Sequence, residues 1–223
     1  MSDPAVHDHA FCESDRAAVY KVIAERRDMR HFIGGEVAPA LLAKLLAAAH
    51  QAPSVGLMQP WRFLRISDRG LRSRIQALVE EERMHTAEAL GERSDEFMKL
   101  KVEGINDCAE VLVVALTDDR ERHIFGRRTL PEMDMASVSC AIQNLWLAAR
   151  AEGIGVGWVS ILDPARLRAA LGIPGHMLPV AYLCLGYVDQ FATSPELERA
   201  GWEKRIPLEE AICYDRYTEE KQS

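Results

Sequence analysis

Arg26-Arg27-Asp28-Met29-Arg30 sets three guanidinium groups and one carboxylate within five residues. Guanidinium groups are planar forks of donors that fit polar oxygens, and three so close can grip a phosphomonoester from more than one side. The same arginines also suit a plainer role at the end of a helix, where each cation stabilises by about 0.3–1 kcal/mol. Asp28 fits neither role, because a carboxylate beside a bound phosphate repels it. It either orients an arginine or performs chemistry. Three more segments carry the residue types of a site. Ala52-Pro53-Ser54-Val55-Gly56-Leu57-Met58-Gln59-Pro60-Trp61 is dense in turn formers. It could present backbone amides, Ser54 and Gln59 to a planar polar ligand, or serve as a connector. Gly153-Ile154-Gly155-Val156-Gly157-Trp158-Val159-Ser160 alternates glycine into a β-type run, which permits close approach by a ligand or by another backbone. It leads into a strand instead of opening a helix, so it is not a dinucleotide fingerprint. Near the C-terminus, Lys204 and Arg205 could complete a phosphate clamp or stand as surface charge.

The elements that must position these residues are legible in the apolar spacing. Helical periodicity covers roughly 15–27, 38–50, 68–90, 94–106, 134–152 and 164–171, and β-type runs cover 61–66, 110–117, 155–161 and 178–187. The arginine cluster therefore sits where the first helix should end, after Val19, Val22 and Ile23. In 134–152, Val138, Ile142, Leu145 and Ala149 form one stripe, and Leu147 and Ala148 carry apolar character nearly all round. Such a helix belongs in a core or between subunits. Segment 80–103 crowds charge around Met84, Leu90, Phe97, Met98 and Leu100, which suits a helical cover over a site or a solvated face.

Composition narrows the function classes. A chain of 223 residues that is 48% hydrophobic can bury a sizeable core, and no repeat or low-complexity tract divides it, so a single domain is expected. Thirty-four acidic against 27 basic residues give a net charge of −7, which argues against a nucleic-acid surface. No run of about 18 apolar residues suggests a membrane span, and the N-terminus shows no signal-peptide pattern, so the expectation is a cytoplasmic protein. The five cysteines form no Cys-x-x-Cys pair and are expected to be reduced. No histidine has zinc-like spacing from a cysteine or carboxylate, and no metal is expected.

Taken together, Arg26-Arg27-x-x-Arg30-x-Phe32, Ala52-Pro53-Ser54 with Gln59-Pro60-Trp61, the long apolar helix, Gly153-x-Gly155-x-Gly157-Trp158 and Lys204-Arg205-x-Pro207-Leu208 resemble the FMN-dependent nitroreductase superfamily over about residues 15–212. Within it, Arg26 to Arg30, the 52–61 loop, Leu100-Lys101-Val102-Glu103-Gly104-Ile105 and the run from Gln143 to Ser160 are most similar to the 5,6-dimethylbenzimidazole synthase family, flavin-destroying enzymes of vitamin B12 lower-ligand synthesis. Ordinary nitroreductases usually carry serine where this chain has Asp28. That difference is the most specific discriminator.

The resemblance implies an α+β fold with a central, mostly antiparallel sheet flanked by helices, and an intertwined homodimer with FMN at the subunit interface. It implies that Arg26, Arg27, Arg30 and Arg205 hold the phosphate or the polar edge of the flavin. Met29, Ser54, Met58 and Gln59 join them in the cofactor site, with Leu100 close to the ring under an 80–103 lid. The ends, 1–14 and 214–223, would be tails. Reduced FMN would be both cofactor and substrate, fragmented with molecular oxygen to 5,6-dimethylbenzimidazole and erythrose 4-phosphate. A separate NAD(P)H-dependent flavin reductase would supply it. Asp28 would be the base for a ribityl hydroxyl in a retro-aldol-like step, and Ser160 the second functional polar residue. Two other readings stay open: a conventional NAD(P)H-dependent nitroreductase or flavin reductase, and a non-catalytic flavin-binding protein.

Overall fold

All seven residues of Glu110–Leu116 (β2) are buried, and this one strand organises the molecule. In the computed structural model, which describes residues 9–117 and 120–217, β2 lies between Trp61–Arg65 (β1) and Leu178–Gly186 (β4). Gly155–Val159 (β3) pairs with the far side of β4, giving the order β1-β2-β4-β3 with every pairing antiparallel. The apolar run of β2 is unbroken because both faces of the sheet are covered. Leu112, Val114 and Leu116 face one core, with Pro39–His50 (α2) and Met133–Ala151 (α5). Val111 and Val113 face the other, with Arg69–Ala89 (α3) and Pro164–Leu171 (α6). Fully burying a side chain such as Leu45 or Ile75 stabilises by about 1.5–3 kcal/mol, so the two cores account for most of the driving force. This is the α+β architecture that the sequence suggests.

Local chemistry sets the element ends. Asp68 caps α3 by accepting from the Leu71 amide at 2.6 Å, and Asp163 caps α6 from Ala165 and Arg166. Gly172 closes α6 in the left-handed conformation, φ 63°. The first helix, Glu13–Glu25 (α1), buries none of its residues and leaves Val19 and Ile23 about half exposed. It begins inside the segment expected to be an N-terminal tail, of which residues 1–8 lie outside the described residues, as do 218–223 of the C-terminal one.

The helix expected over 94–106 is shorter than its periodicity suggests. Ser94–Met98 (α4) stops because Lys99 and Leu100 close the turn on Glu96 and Phe97, while the Arg83 guanidinium takes the carbonyls of Met98 and Leu100 at 2.7 and 3.1 Å. The chain divides into a body ending at Phe191 and a C-terminal unit beginning at Ala192. The latter holds a short helix, Glu196–Arg199 (α7), and exposed Ile206, Leu208 and Tyr214.

Candidate active site

The arginine cluster is not helical. α1 ends at Glu25, Arg26 turns into extended geometry, and Asp28 forms a parallel bridge with Val156 along the outer edge of β3, secured by the Met29 amide on the Val156 carbonyl at 2.9 Å. The alternating glycines make this possible. A β-carbon on Gly157 would stand 2.1 Å from the Met29 carbonyl oxygen and 2.5 Å from Arg30 Nη1, so the space is used by another backbone. Gly104 serves the far end, where a β-carbon would lie 2.7 Å from the Arg30 carbonyl oxygen, and this brings the base of the 80–103 segment against Arg30 and Phe32.

The Asp28 carboxylate is gripped on both oxygens. Oδ1 accepts from the Trp158 amide at 3.0 Å and from Arg30 Nη1 at 2.8 Å, and Oδ2 meets Arg30 Nη2 at 2.6 Å. Arg30 Nη2 also donates to the Trp158 carbonyl at 2.6 Å. Burial against this frame raises the Asp28 carboxyl above its ordinary value. The charge of Arg30, the Trp158 amide and the charge of Arg26 oppose that rise. The shift is tempered by an open outer side, since 45% of the side chain remains accessible.

Upstream, Arg27 Nη1 donates to the carbonyls of Ala24 and Arg26, and Arg26 stacks over the Trp146 ring at 4.6 Å. The indole nitrogen of Trp146 donates to the Arg27 carbonyl at 3.1 Å, and Arg150 binds Glu25. Thus the C-terminal half of α5 pins the segment. Trp158 closes the glycine motif read from the sequence, whereas Trp146 was given no role there; a large aromatic among small and aliphatic neighbours was its available signal.

The 52–61 loop is strained where it would meet a ligand. Gly56, Leu57 and Gln59 all have positive φ (54°, 52° and 47°), unusual for the two that carry side chains. Ser54 Oγ accepts from the Gln59 amide at 2.9 Å, and the Val55 amide donates to Ser137 near the N-terminal end of α5. Met58 and Gln59 border a cavity of about 570 Å³ with His50, Trp61 and Phe63. Residues 124–126, between β2 and α5, interlock with the loop, since a β-carbon on Gly56 would meet the Phe125 carbonyl and one on Gly126 the Val55 side chain.

Of the residues expected in the site, Asp28, Met29 and Arg30 are brought onto β3, and Ser160 stands exposed two residues beyond Trp158. Leu100 is partly buried where Arg83 holds its carbonyl. Ser54, Met58 and Gln59 gather at the other end of α5 from Arg26 and Arg27: Ser137 and Trp146 are nine residues apart, about 14 Å along a helix. Arg205 is exposed in the C-terminal unit. Among the described residues, no group of three or more histidine, cysteine, aspartate or glutamate side chains is placed to hold a metal ion, and no helix is long and apolar enough to cross a membrane.

The Nitroreductase family profile matches residues 23–187, which include β1 to β4, α5 and the 26–30 segment. The chain belongs to the nitroreductase family. Among nitroreductase-family relatives, it is 43% identical to a 5,6-dimethylbenzimidazole synthase of Rhodospirillum rubrum over 82% of this chain and 87% of that protein. It is 36% identical to a 5,6-dimethylbenzimidazole synthase of Rhodobacter capsulatus over 89% and 97%. In fold it is similar to iodotyrosine deiodinase, solved with FMN and 3-iodo-L-tyrosine, at a TM-score of 0.70 and 21% identity over 89% of this chain and 100% of that one.

Proposed function

We propose that this nitroreductase-family enzyme is a 5,6-dimethylbenzimidazole synthase, which cleaves reduced FMN with molecular oxygen to 5,6-dimethylbenzimidazole and erythrose 4-phosphate for cobalamin synthesis. The observation that carries the reading is Asp28. Where ordinary nitroreductases have serine, this chain holds a carboxylate in a built seat on β3, and its 43% identical relative bears the synthase name.

FMN fits the residues present. Arg26 and Arg27 supply cations for a phosphate, while the strained Ser54–Gln59 loop gives a flat ligand a polar rim. Met29, Met58 and Leu100 add apolar surface for a ring system. Reduced flavin supplies the electrons and the carbon skeleton of the product. The chain's part is to exclude water, orient the ribityl tail and move protons. Asp28 accepts a ribityl hydroxyl proton as the carbon–carbon bond breaks, and Ser160 donates or relays a proton at the opposite end of Trp158. The lid, 80–103, is braced within itself by Arg83 on the Met98 and Leu100 carbonyls and closes over the ring, leaving little room for a nicotinamide. A separate NAD(P)H-dependent flavin reductase in the same cytoplasm supplies the reduced flavin.

The functional unit is an intertwined homodimer. The two halves of the site lie at opposite ends of α5, and a pairing of two α5 helices across a twofold axis perpendicular to them is antiparallel, which sets the loop of one subunit beside the arginine segment of the other. The exposed faces of α1 and α5 support this pairing: Phe11, Val19, Tyr20 and Ile23 on or beside the first, and the small residues Ala136, Ser139 and Cys140 on the second.

Incubation with FMN, a flavin reductase, NADH and oxygen tests the reading. Chromatographic detection of 5,6-dimethylbenzimidazole is the expected result. Steady NADH oxidation without the reductase and without that product would instead mark a conventional nitroreductase or flavin reductase.

A further inference from the structure

We propose that Arg30 is a positioning residue for Asp28, acting on the reaction through the carboxylate it holds and not through the phosphate of the substrate. The inference rests on the reading of Asp28 as the base.

Three observations separate the two roles. First, the Arg30 side chain is only 12% accessible, whereas a phosphate ligand needs an open guanidinium edge. Second, both terminal nitrogens are already used, Nη1 by Asp28 Oδ1 and Nη2 by Asp28 Oδ2 and the Trp158 carbonyl. Third, the seat is built for this group, because the missing β-carbon of Gly157 leaves the space that Nη1 occupies. A fork-to-fork pair of this kind fixes the plane of the carboxylate as well as its charge.

That plane has a chemical consequence. A carboxylate oxygen offers two lone pairs. Oδ1 spends both, on the Trp158 amide and Arg30 Nη1, while Oδ2 spends one on Arg30 Nη2, among the described residues. The remaining lone pair of Oδ2 is therefore the one aimed outward, and the ribityl hydroxyl proton goes to Oδ2. Arg30 also opposes the rise that burial imposes on this carboxyl. The charged groups bearing on Asp28 are Arg30 and Arg26, while β3 contributes the Trp158 peptide. Removing Arg30 leaves burial opposed by fewer partners, so the carboxyl holds its proton to higher pH.

The test compares the parent enzyme with Arg30→Ala and Arg30→Lys, each alone and combined with Asp28→Asn. Product formation is measured against pH at saturating reduced FMN, and dissociation constants are measured for FMN and riboflavin. Arg30→Ala should move the acidic limb of the turnover profile upward. A shift of one unit costs about tenfold in rate at a pH on that limb. Arg30→Lys, a point charge without the fork, should move it less. In the Asp28→Asn background, Arg30→Ala should add no further loss, and the FMN-to-riboflavin affinity ratio should stay at the parental value. An unmoved acidic limb, with the loss confined to FMN affinity and absent for riboflavin, would make Arg30 a phosphate ligand and overturn the proposal. If Arg30→Ala does not fold, the Arg30→Lys limb decides, and its coincidence with the parent overturns the proposal equally. Near-parental product from Asp28→Asn alone is a separate outcome and removes the base reading itself.

Discussion

Gly157 lies so close beneath Met29 that a β-carbon added to it would stand 2.1 Å from the Met29 carbonyl oxygen. This contact lets the 28–30 segment lie along β3 and so decides where the Asp28 carboxylate points. Gly157→Ala must push the segment off the strand, and overpacking of this kind costs about 1–3 kcal/mol. Thermal unfolding should show that loss, together with product formation reduced below that of Gly153→Ala. Gly153 would meet nothing within 4 Å but has a φ of 75°, so its substitution tests backbone strain without the clash.

Asp28→Asn keeps the shape of the side chain and removes the proposed base. FMN should still bind, because losing a negative charge beside Arg26 and Arg30 does not weaken attraction for a phosphate. Formation of 5,6-dimethylbenzimidazole should fall by at least about 100-fold, the low end of a general base's contribution. Product chromatography alongside flavin-fluorescence titration checks both halves of the expectation.

The same carboxyl sets a pH trend in stability. Its folded-state pKa is raised above the ordinary 3.8, so the folded protein holds this proton more tightly than the unfolded chain. Ionisation of Asp28 therefore costs stability as pH rises from about the unfolded value through the folded one, and costs nothing below both. The melting temperature of Asp28→Asn relative to the parent should shift in the variant's favour across that window and then level off. A difference that is flat, or that runs the other way, would show that Arg30 outweighs burial.

Leu100→Gly should loosen the turn that Arg83 holds through the Met98 and Leu100 carbonyls. Water and oxygen then reach reduced flavin without the ordered site, and the outcome should be hydrogen peroxide and FMN in place of the fragmentation product. Peroxide assayed per reduced flavin consumed measures the uncoupling.

Val19→Glu combined with Ile23→Glu places charge on the exposed apolar face of α1, which has no buried residue within its own chain. Light scattering should give twice the chain mass for the parent and a larger monomer fraction for the variant. FMN affinity should fall with it, as the proposed sharing of each site between two subunits requires.

Much of this could be read from the order of residues alone. The apolar periods place β1 to β4 and five of the helices within one or two residues, because burial on a sheet face or helix stripe leaves a local mark. The ligand-like loop, the alternating glycines and the odd carboxylate among arginines also stand out as types and spacings. What the order could not give was partnership. Whether Gly155 and Gly157 admit a ligand or a backbone depended on Met29 and Arg30, some 128 residues away, arriving at β3. The premature stop of α4 depended on Arg83 reaching two carbonyls from a neighbouring helix. Asp28 was visible as a carboxylate, but only the tertiary structure set it against the Trp158 amide and the Arg30 guanidinium. Directional interactions between distant segments leave no period in the chain, so the tertiary structure alone decided them.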